Sequence, residues 1–371
     1  MSTSDHSVRT IDPAFDGPAA AVVFATDVNY APYAAVTIKS VIDTASPEKY
    51  YDLVILETAL PESDRVRIKS LAKGHDNISL RFFDISEIVA DKADDLFVNA
   101  HLSPATYYRL FTPSIFQLYD KLLYLDVDLV AMSDVAGLFE VELGDDLIGA
   151  VRDYYGIKDL LEKPDSPWSV QVGLDDNLYY FNAGVSLLNL DRMRRENFEE
   201  TWLKYLLRVK RPRLHDQDIL NHCCQGRIRW LDPAWNCQAW NEEVFRPLDQ
   251  DDVPAQLCEE FIRSGRPPKI IHYLSKIKPW DWPHLALAEH FWNYAFKTPY
   301  YTAMSFRLIQ RLSAECDRLR SEARFPSPRL KYKFYRLAGA LTFGRTKARF
   351  KQQAKKYELR LQLLKKYKSW L

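Results

Sequence analysis

Residues 121–135 read KLLYLDVDLVAMSDV, and this apolar run carries two aspartates, Asp126 and Asp128, with Val127 alone between them. The run predicts a buried strand, in which side chains two residues apart point to the same side. Two adjacent carboxylates are costly to bury, because each loses its hydration and the two repel. A divalent cation held by both is the hypothesis we favour over a solvated loop with two unrelated aspartates. Oxygen ligands suit Mg²⁺ or Mn²⁺, and an added imidazole favours Mn²⁺.

Predicted strands and helices alternate along the chain before this strand. Short apolar runs at 20–26, 51–57 and 78–84 predict strands, whereas 31–43 and 63–73 have the apolar spacing of helices. This alternation predicts an α/β fold with a largely parallel sheet, in which ligands lie beyond the carboxyl ends of strands. Further strands are predicted at 145–153, 179–190 and 269–274, and further helices at 105–118, 197–208 and 284–322.

The length, composition and net charge of the whole chain indicate a folded protein and give no sign of a nucleic-acid partner. The chain has 371 residues, 47% of them hydrophobic, and a formal net charge of zero, so a sizeable core is expected and nucleic acid is not. The five cysteines form no CxxC pair, which favours free thiols in a reducing compartment. Residues 1–20 predict a flexible lead-in without the apolar segment of a secretory signal. We therefore expect a cytoplasmic protein.

Charge is distributed unevenly along the chain. Residues 325–371 contain 14 Lys and Arg against a single acid, Glu358, and the remainder is correspondingly acidic. Residues Phe350, Ala354, Tyr357, Leu361 and Leu364 fall on one face of a predicted helix whose other faces are basic. Such a helix suits the anionic surface of a membrane, here the inner face of the cytoplasmic membrane. Packing against the acidic body and a coiled-coil contact are the alternatives.

Six sequence blocks occur in an order and spacing that resemble glycosyltransferase family 8, in particular its bacterial lipopolysaccharide galactosyl- and glucosyltransferases. The resemblance covers about residues 21–280. The blocks are FATDVNYAPYAAVTIKSV (24–41), ATYYRLF (105–111), YLDVDLV (124–130), FNAGVSLLNL (181–190), HDQDILN (215–221) and IHYLSKIKPW (271–280).

This resemblance implies a single GT-A-type nucleotide-binding domain, built on a Rossmann-like mixed sheet, with a helical C-terminal extension. We place the catalytic domain at 21–283, the helical extension at 284–324 and the basic amphipathic tail at 325–371.

The resemblance also implies a metal site and its ligands. Asp126 and Asp128 would hold Mn²⁺, with Mg²⁺ as the alternative, against the diphosphate of a UDP-sugar, and His272 would be the third protein ligand. Lys278 would contact the phosphates as a point charge. Ser275 stands where the family pattern has glycine, so the backbone approach to the phosphate is expected to differ there.

Further residues match the donor site of the family. Asp27, Asn29 and Tyr30 match the uridine site, and Arg109 matches an arginine that bridges phosphate and sugar. Val127 and Ala183 belong to the same nucleotide-contacting blocks, and Asp153 is a candidate contact on the acceptor side. The residues implied to hold the donor sugar, and grouped as catalytic, are Asn182, Asp216 and Gln217.

The implied activity is that of a retaining, metal-dependent hexosyltransferase. It would move glucose or galactose from UDP-glucose or UDP-galactose to a glycan or glycolipid acceptor, such as a lipopolysaccharide core. Double displacement and same-face attack both remain open; in the second, Gln217 would stabilise positive charge at the anomeric carbon. The alternatives are transfer to a capsular or soluble glycan, and a sugar-nucleotide-binding protein without transfer activity.

Overall fold

The computed structural model describes residues 9–90, 92, 104–239, 253–274 and 276–322, together with scattered helical positions between 332 and 358. Two compact units follow one another along the chain, Met1–Leu274 and Ser275–Leu371. The predicted apolar face of the basic tail lies almost entirely outside the described residues, so its role stays a prediction.

The first unit is built on a seven-stranded mixed sheet and a smaller three-stranded sheet. The larger sheet has the order β3-β2-β1-β4-β7-β6-β8, and the smaller has the order β5-β10-β9. The strands are β1 (Ala19–Thr26), β2 (Tyr50–Glu57), β3 (Ile78–Asp84), β4 (Lys121–Leu125), β5 (Leu129–Ala131), β6 (Ile148–Arg152), β7 (Phe181–Asn189), β8 (Ile228–Trp230), β9 (Cys237–Ala239) and β10 (Ile270–Tyr273).

The α/β class and the mixed sheet are confirmed. Strands β1 to β4 pair in parallel, whereas β7 runs antiparallel to both β4 and β6. The three apolar runs that predicted β1, β2 and β3 form strands: β1 and β2 are buried in the interior of the sheet, whereas β3 is an edge strand and is partly buried. Strand β7 therefore joins the parallel half of the sheet to the β6–β8 half.

Helices connect these strands, and local side chains begin several of them. Pro32 lies in the first turn of α1, where its missing N–H costs nothing. Asp153 begins α5 by accepting from the Gly156 N–H at 2.8 Å. The helices are α1 (Ala31–Thr44), α2 (Glu62–Lys69), α3 (Ser86–Ala90), α4 (Thr112–Ile115), α5 (Tyr154–Glu162), α6 (Pro167–Val172), α7 (Leu190–Arg195), α8 (Phe198–Val209), α9 (Asp216–Cys223), α10 (Ala255–Ser264), α11 (Ala288–Ala295) and α12 (Tyr301–Glu322).

The stretch predicted as one helix over 105–118 is divided. A 3-10 helix covers Pro104–Phe111, and α4 follows it. Pro113 lies in the first turn of α4, consistent with the preference of proline for a helix start. The 3-10 segment carries Arg109, whose side chain is 4% exposed.

Strand β4 ends earlier than the sequence predicts. It stops at Leu125, so Asp126 and Asp128 lie in the connection to β5 and not on a strand face. Strand β5 pairs antiparallel with β10, which places His272 opposite Leu129. The two aspartates and His272 therefore meet through the pairing of β5 with β10, and not through the two-residue repeat of one strand.

A β-bulge interrupts the pairing of β6 with β7. Gly149 is opposite Leu187 and Val151 is opposite Asn182, so the register shifts between these two pairs. The stretch 183–186 of β7 thus faces only one residue of β6. Bulges of this kind free backbone groups for other partners.

The segment before β1 is described from residue 9. Ile11 is buried, and its N–H donates to the Ile115 carbonyl at 3.1 Å. The cysteines described with their side chains, Cys223, Cys224, Cys237 and Cys258, are free thiols, as predicted.

The second unit contains α11 and α12. Within it, Asp281 accepts ion pairs from Arg307 at 3.0 Å and Arg311 at 2.9 Å, and Trp280 packs against Phe291 with ring centroids 5.4 Å apart. In the parts of the chain that the structure describes, no helix is both long and apolar enough to cross a membrane.

Candidate active site

Asp126, Asp128 and His272 form a cluster with the donor atoms of a metal site. One donor atom from each lies within 4.8 Å of the other two. His272 Nε2 is 3.1 Å from Asp128 Oδ1 and 3.7 Å from Asp126 Oδ2. The imidazole is almost fully buried, whereas the carboxylates are 29% and 18% exposed, so a cation could enter from the carboxylate side.

The chemistry of this donor set fits a divalent cation. Two carboxylates with one imidazole form a mixed oxygen and nitrogen set, which suits Mn²⁺ better than Mg²⁺. The 3.1 Å between His272 Nε2 and Asp128 Oδ1 is a separation found between neighbouring ligands of an ion bound at roughly 2.1 Å. The three predicted metal ligands therefore lie close enough together that they could hold such an ion.

Asp126 uses its two oxygens differently. Oδ1 accepts from the Arg109 guanidinium at 2.5 Å, whereas Oδ2 is the oxygen on the side of His272. Its backbone N–H donates to the Gly184 carbonyl at 2.8 Å, which anchors the connection after β4 to β7. Asp126 is thus held by Arg109 and by β7, and its Oδ2 is directed towards His272.

Arg109 connects several parts of the site. Its guanidinium contacts Asp126, lies 2.8 Å from an oxygen of Asp216, and donates to the Ala183 carbonyl. Its Cζ also stands 3.9 Å from the ring centroid of Tyr124. Burial alone lowers the pKa of Arg109, but the two carboxylates outweigh burial and raise it, so the side chain stays charged.

Asp216 is a deeply buried acid at the start of α9. It accepts from the Thr106 hydroxyl and pairs with Arg109. Burial raises the pKa of Asp216 to about 6, although Arg109 and Thr106 act in the opposite direction. Oδ1 accepts the Thr106 hydrogen bond, whereas Oδ2 lies in the ion pair with Arg109 without forming a hydrogen bond.

Gln217 is the centre of an amide network beside this pair. Its Oε1 accepts from the Ala183 N–H at 3.0 Å, and its Nε2 donates to Asp153 at 2.9 Å and to the Tyr180 hydroxyl at 3.1 Å. A carboxylate can only accept, so Asp153 determines which end of the amide is nitrogen. The carbonyl oxygen of Gln217 therefore faces β7.

Asn182 has all four of its hydrogen-bonding positions occupied by protein groups. Its oxygen accepts from the Gly184 N–H at 3.1 Å and from Asn236 Nδ2 at 2.9 Å. Its nitrogen is 3.3 Å from both Asp153 Oδ2 and Gln217 Oε1. The predicted sugar contact of Asn182 stays a prediction, and its observed bonds join the Gln217 network to the metal side.

The predicted uridine residues follow β1. Asp27 Oδ1 accepts from the N–H groups of Asn29 at 2.8 Å and Tyr30 at 3.0 Å, which forms a tight turn before α1. Phe24 of β1 is opposite Leu125 of β4 in a parallel pair, so this turn and Asp126 leave the sheet at the same edge. Tyr30 is 37% exposed, which leaves ring surface available for a base.

The remaining predicted contacts have different outcomes. Val127 has a buried side chain between the two aspartates, and Ala183 contacts Arg109 and Gln217 through its backbone. Lys278 belongs to the second unit, where its Nζ is 5.9 Å from the Trp280 ring centroid. Ser275 lies outside the described residues. The phosphate contacts of Lys278 and Ser275 remain predictions.

Sequence reasoning missed several residues that the structure brings to the site. Gly184 lies within the predicted block at 181–190 and Tyr180 directly precedes it, so attention to neighbours of Asn182 would have found them. Thr106 likewise lies in the block that holds Arg109. Asn236 lies in DPAWN, 36 residues before His272, and no local pattern marks it.

Comparison with known proteins agrees with this geometry. The family model described as glycosyl transferase family 8 matches residues 21–282. This chain belongs to glycosyl transferase family 8. The matched stretch includes every residue of the metal cluster and of the amide network.

Relatives with lipopolysaccharide activities are among the similar proteins. A putative glycosyltransferase of Haemophilus influenzae is 27% identical over 262 residues, which are 70% of this chain and 72% of that protein. The lipopolysaccharide 1,2-glucosyltransferase of Escherichia coli is 25% identical over 278 residues, 73% of this chain and 76% of that protein.

Solved structures support the GT-A-type fold of this family 8 chain. The galactosyltransferase LgtC, determined with donor and acceptor sugar analogues, is 27% identical with a TM-score of 0.62, over 75% of this chain and 96% of that one. The bifunctional glycosyltransferase WbbM is 28% identical with a TM-score of 0.70, over 81% of this chain. The match spans about half of the WbbM chain, 53%.

Proposed function

We propose that this family 8 member is a metal-dependent, retaining UDP-hexosyltransferase. It would transfer glucose or galactose to a glycan acceptor, a lipopolysaccharide core or another lipid-linked glycan. The observation that carries the proposal is the Asp126–Asp128–His272 cluster, which lies next to the Gln217 network within one family-matched unit. The donor and acceptor classes come from relatives that act on lipopolysaccharide.

Electrostatics explains why a cation is needed for a diphosphate substrate. Asp126, Asp128 and Asp216 contribute three carboxylates, and Arg109 pairs with two of them, Asp126 and Asp216. A diphosphate approaching these described residues would therefore meet net negative charge. A divalent cation held by Asp126, Asp128 and His272 would supply positive charge there and would stabilise the leaving UDP.

The residues of this chain then have separate roles. Arg109 holds Asp126 in place and adds a permanent positive charge near the phosphates. Asp27 and Tyr30 receive the uridine at the end of β1. Gln217 presents its carbonyl oxygen toward β7, where it stabilises positive charge that develops on the sugar.

The surrounding carboxylates favour same-face attack over double displacement. Asp153 accepts from Gly156, Gln217 and Asn182, and Asp216 is engaged by Arg109 and Thr106. To attack the sugar, Asp153 would have to give up these hydrogen bonds, and Asp216 would have to give up its Thr106 hydrogen bond and its ion pair with Arg109. The leaving phosphate is then the group that accepts the acceptor's proton.

A sugar-nucleotide-binding protein without transfer activity is the alternative of another class. The Asp126–Asp128–His272 cluster and the hydrogen-bonded Gln217 favour a transferase. Binding of a sugar nucleotide without transfer would not require an amide oxygen held so rigidly. Transfer to a capsular or soluble glycan would use the same site. Contact of the basic tail with an anionic membrane at the cytoplasmic face remains a prediction from its charge and periodicity.

Release of UDP tests the proposal directly. The protein would be incubated with UDP-glucose or UDP-galactose, with Mn²⁺ and then with EDTA. We expect slow release from one donor even without acceptor, lost with EDTA and in Asp128→Asn. Asp145→Asn is the matched control, since that carboxylate is exposed and remote from the cluster.

The absence of release needs a second measurement. If neither donor is hydrolysed, calorimetry with UDP and Mn²⁺ shows whether the nucleotide binds. Failure to bind UDP in either condition would overturn the proposal. Once an acceptor is found, the anomeric configuration of the product, measured by NMR, tests retention.

A further inference from the structure

The inner nitrogen of His272 has one protein partner. His272 Nδ1 is 3.1 Å from Asn236 Oδ1, and both side chains are buried. Asn236 lies in the 3-10 helix Pro233–Asn236, immediately before β9, which pairs with β10 beside His272. Its position just before this neighbouring strand places it at the Nδ1 side of the imidazole, whereas Asp128 lies at the Nε2 side.

A backbone group determines the orientation of Asn236. The Gly184 N–H can only donate, and it donates to the Asn182 oxygen. That oxygen also faces Asn236 at 2.9 Å, so Asn236 must present its NH₂ group to it. The oxygen of Asn236 is then the atom that faces His272, and His272 Nδ1 must carry the proton between them.

The carbonyl and the N–H of Gly184 have different partners. The carbonyl accepts from the Asp126 N–H at 2.8 Å, on the β4 side of β7, and the N–H donates to the Asn182 oxygen at 3.1 Å. The backbone at Gly184 thus orients Asn182, and Asn182 in turn orients Asn236.

We propose that Asn236 is a positioning residue that keeps a proton on His272 Nδ1 and so directs the lone pair of Nε2 into the cation site. The inference rests on the metal site of the proposed function. Asn236 competes with Asp128 and Asp126, which lie 3.1 and 3.7 Å from Nε2 and attract a proton to that atom. A proton on Nε2 with a bare Nδ1 would point the imidazole lone pair away from the cluster.

The position of the proton can be measured without metal. Protein labelled with ¹⁵N at histidine, in EDTA at about pH 8.5 where free imidazole is neutral, would be examined by long-range ¹H–¹⁵N NMR. His272→Gln identifies the signals. We expect a protonated Nδ1 in the wild type and in Asn236→Asp, which keeps an acceptor, and loss of that proton in Asn236→Leu.

Asn221→Leu is the matched control, because Asn221 is another fully buried amide that bonds Phe181 and Gln217 but not His272. It should leave the His272 signals in place. An unprotonated Nδ1 in the wild type would overturn the inference by itself, whether or not Asn236→Leu folds. So would an unchanged His272 spectrum in a folded Asn236→Leu protein.

Metal affinity gives an independent readout. Titration with Mn²⁺ alone, followed by electron paramagnetic resonance, should show affinity lowered about 10- to 100-fold in Asn236→Leu and largely retained in Asn236→Asp. Equal affinity in wild type and Asn236→Leu would contradict the role of Asn236. A wild type that binds no Mn²⁺ would instead refute the metal site of the proposed function, and the metal-free spectrum would still report on Asn236.

Discussion

A β-carbon placed on Gly184 would lie 2.1 Å from Cε1 of His272 and 2.8 Å from Oδ2 of Asp126. Real side chains do not approach so closely, so β7 and the metal cluster can adopt their observed separation only with glycine at this position. Because His272 is buried and bonded to Asn236, it has little room to withdraw. Close backbone approach, and not turn geometry, is therefore what requires this glycine.

Gly184→Ala should damage the metal site more than the fold. The methyl group displaces His272 or Asp126, and a shift of about 1 Å at a reacting site can cost roughly 100-fold in rate. We expect Mn²⁺ affinity and UDP release to fall by about that factor. Calorimetric titration and the release assay measure both.

Gly137→Ala is the control for this change. A β-carbon there meets only the Trp235 ring at 3.4 Å, an ordinary contact. It should bind Mn²⁺ as the wild type does. Normal metal binding by Gly184→Ala would show that the cluster is not assembled as described.

Arg109→Lys should impair activity although it conserves charge. A single ammonium cannot reach Asp126, Asp216 and the Ala183 carbonyl together as the guanidinium does. We expect kcat to fall about 10- to 100-fold, and the free energy of unfolding to fall by about 2 to 4 kcal/mol. Steady-state kinetics and urea unfolding provide the two values.

Arg81→Lys separates the two effects. Arg81 pairs with the buried Asp52 at 2.6 Å, and neither residue belongs to the metal cluster or the amide network. This variant should lose stability but keep kcat. If Arg109→Lys behaved in the same way, Arg109 would be a structural residue only.

Asp216 should make stability depend on pH in the metal-free protein. Because its pKa is raised to about 6 by burial, the folded protein holds this proton between about pH 4 and 6, where the unfolded chain has released it. The contribution of Asp216 to the free energy of unfolding must therefore fall as pH rises through this window, and become constant above it. The size is on the order of 3 kcal/mol, since one pKa unit corresponds to about 1.4 kcal/mol.

Urea unfolding of the wild type and Asp216→Asn, in EDTA from about pH 4 to 7, isolates this contribution. The asparagine cannot titrate, so the difference between the two proteins carries the pH dependence of Asp216. A difference that stays constant over the whole range would contradict the raised pKa. If the wild type instead gained stability relative to Asp216→Asn as the pH rose, the pKa of Asp216 would be lowered and not raised.

Tyr180→Phe tests how firmly Gln217 must be held. The Tyr180 hydroxyl donates to Asp218 at 2.7 Å and accepts from Gln217 Nε2, whose bond to Asp153 would remain. We expect a decrease of about 1 kcal/mol in stability and a several-fold decrease in kcat with little change in KM for the donor. Steady-state kinetics would measure kcat and KM, either at saturating acceptor or, without acceptor, from hydrolysis of the donor. Urea unfolding would measure the stability.

Tyr205→Phe is the matched control, because this buried tyrosine donates one hydrogen bond to the Gln171 carbonyl and does not touch Gln217. Its stability loss should be similar, with kcat unchanged. Equal kinetic effects in both variants would mean that Tyr180 contributes only to folding.

The sequence predicted the elements with strong local patterns. The apolar runs of β1, β2 and β3 and the amphipathic stretches of α1 and α8 depend on side chains within a few residues of one another, so periodicity is sufficient. Periodicity predicts the ends of elements less well, because an element can end where its local pattern continues. Strand β4, for example, ends at Leu125, before the two aspartates. Their convergence was predicted correctly, but for a different reason from the one observed.

The sequence by itself determined the α/β class, the family and the residue types of the Asp126–Asp128–His272 cluster, because these follow from local pattern and from ordered motif blocks. Only the tertiary structure decided which atoms meet. The pairing of β5 with β10 brings His272 to Asp128, the Gly184 N–H of β7 orients Asn182, and Asp153 orients Gln217. Strand register and close backbone approach join residues far apart in the chain, and no local repeat encodes such contacts.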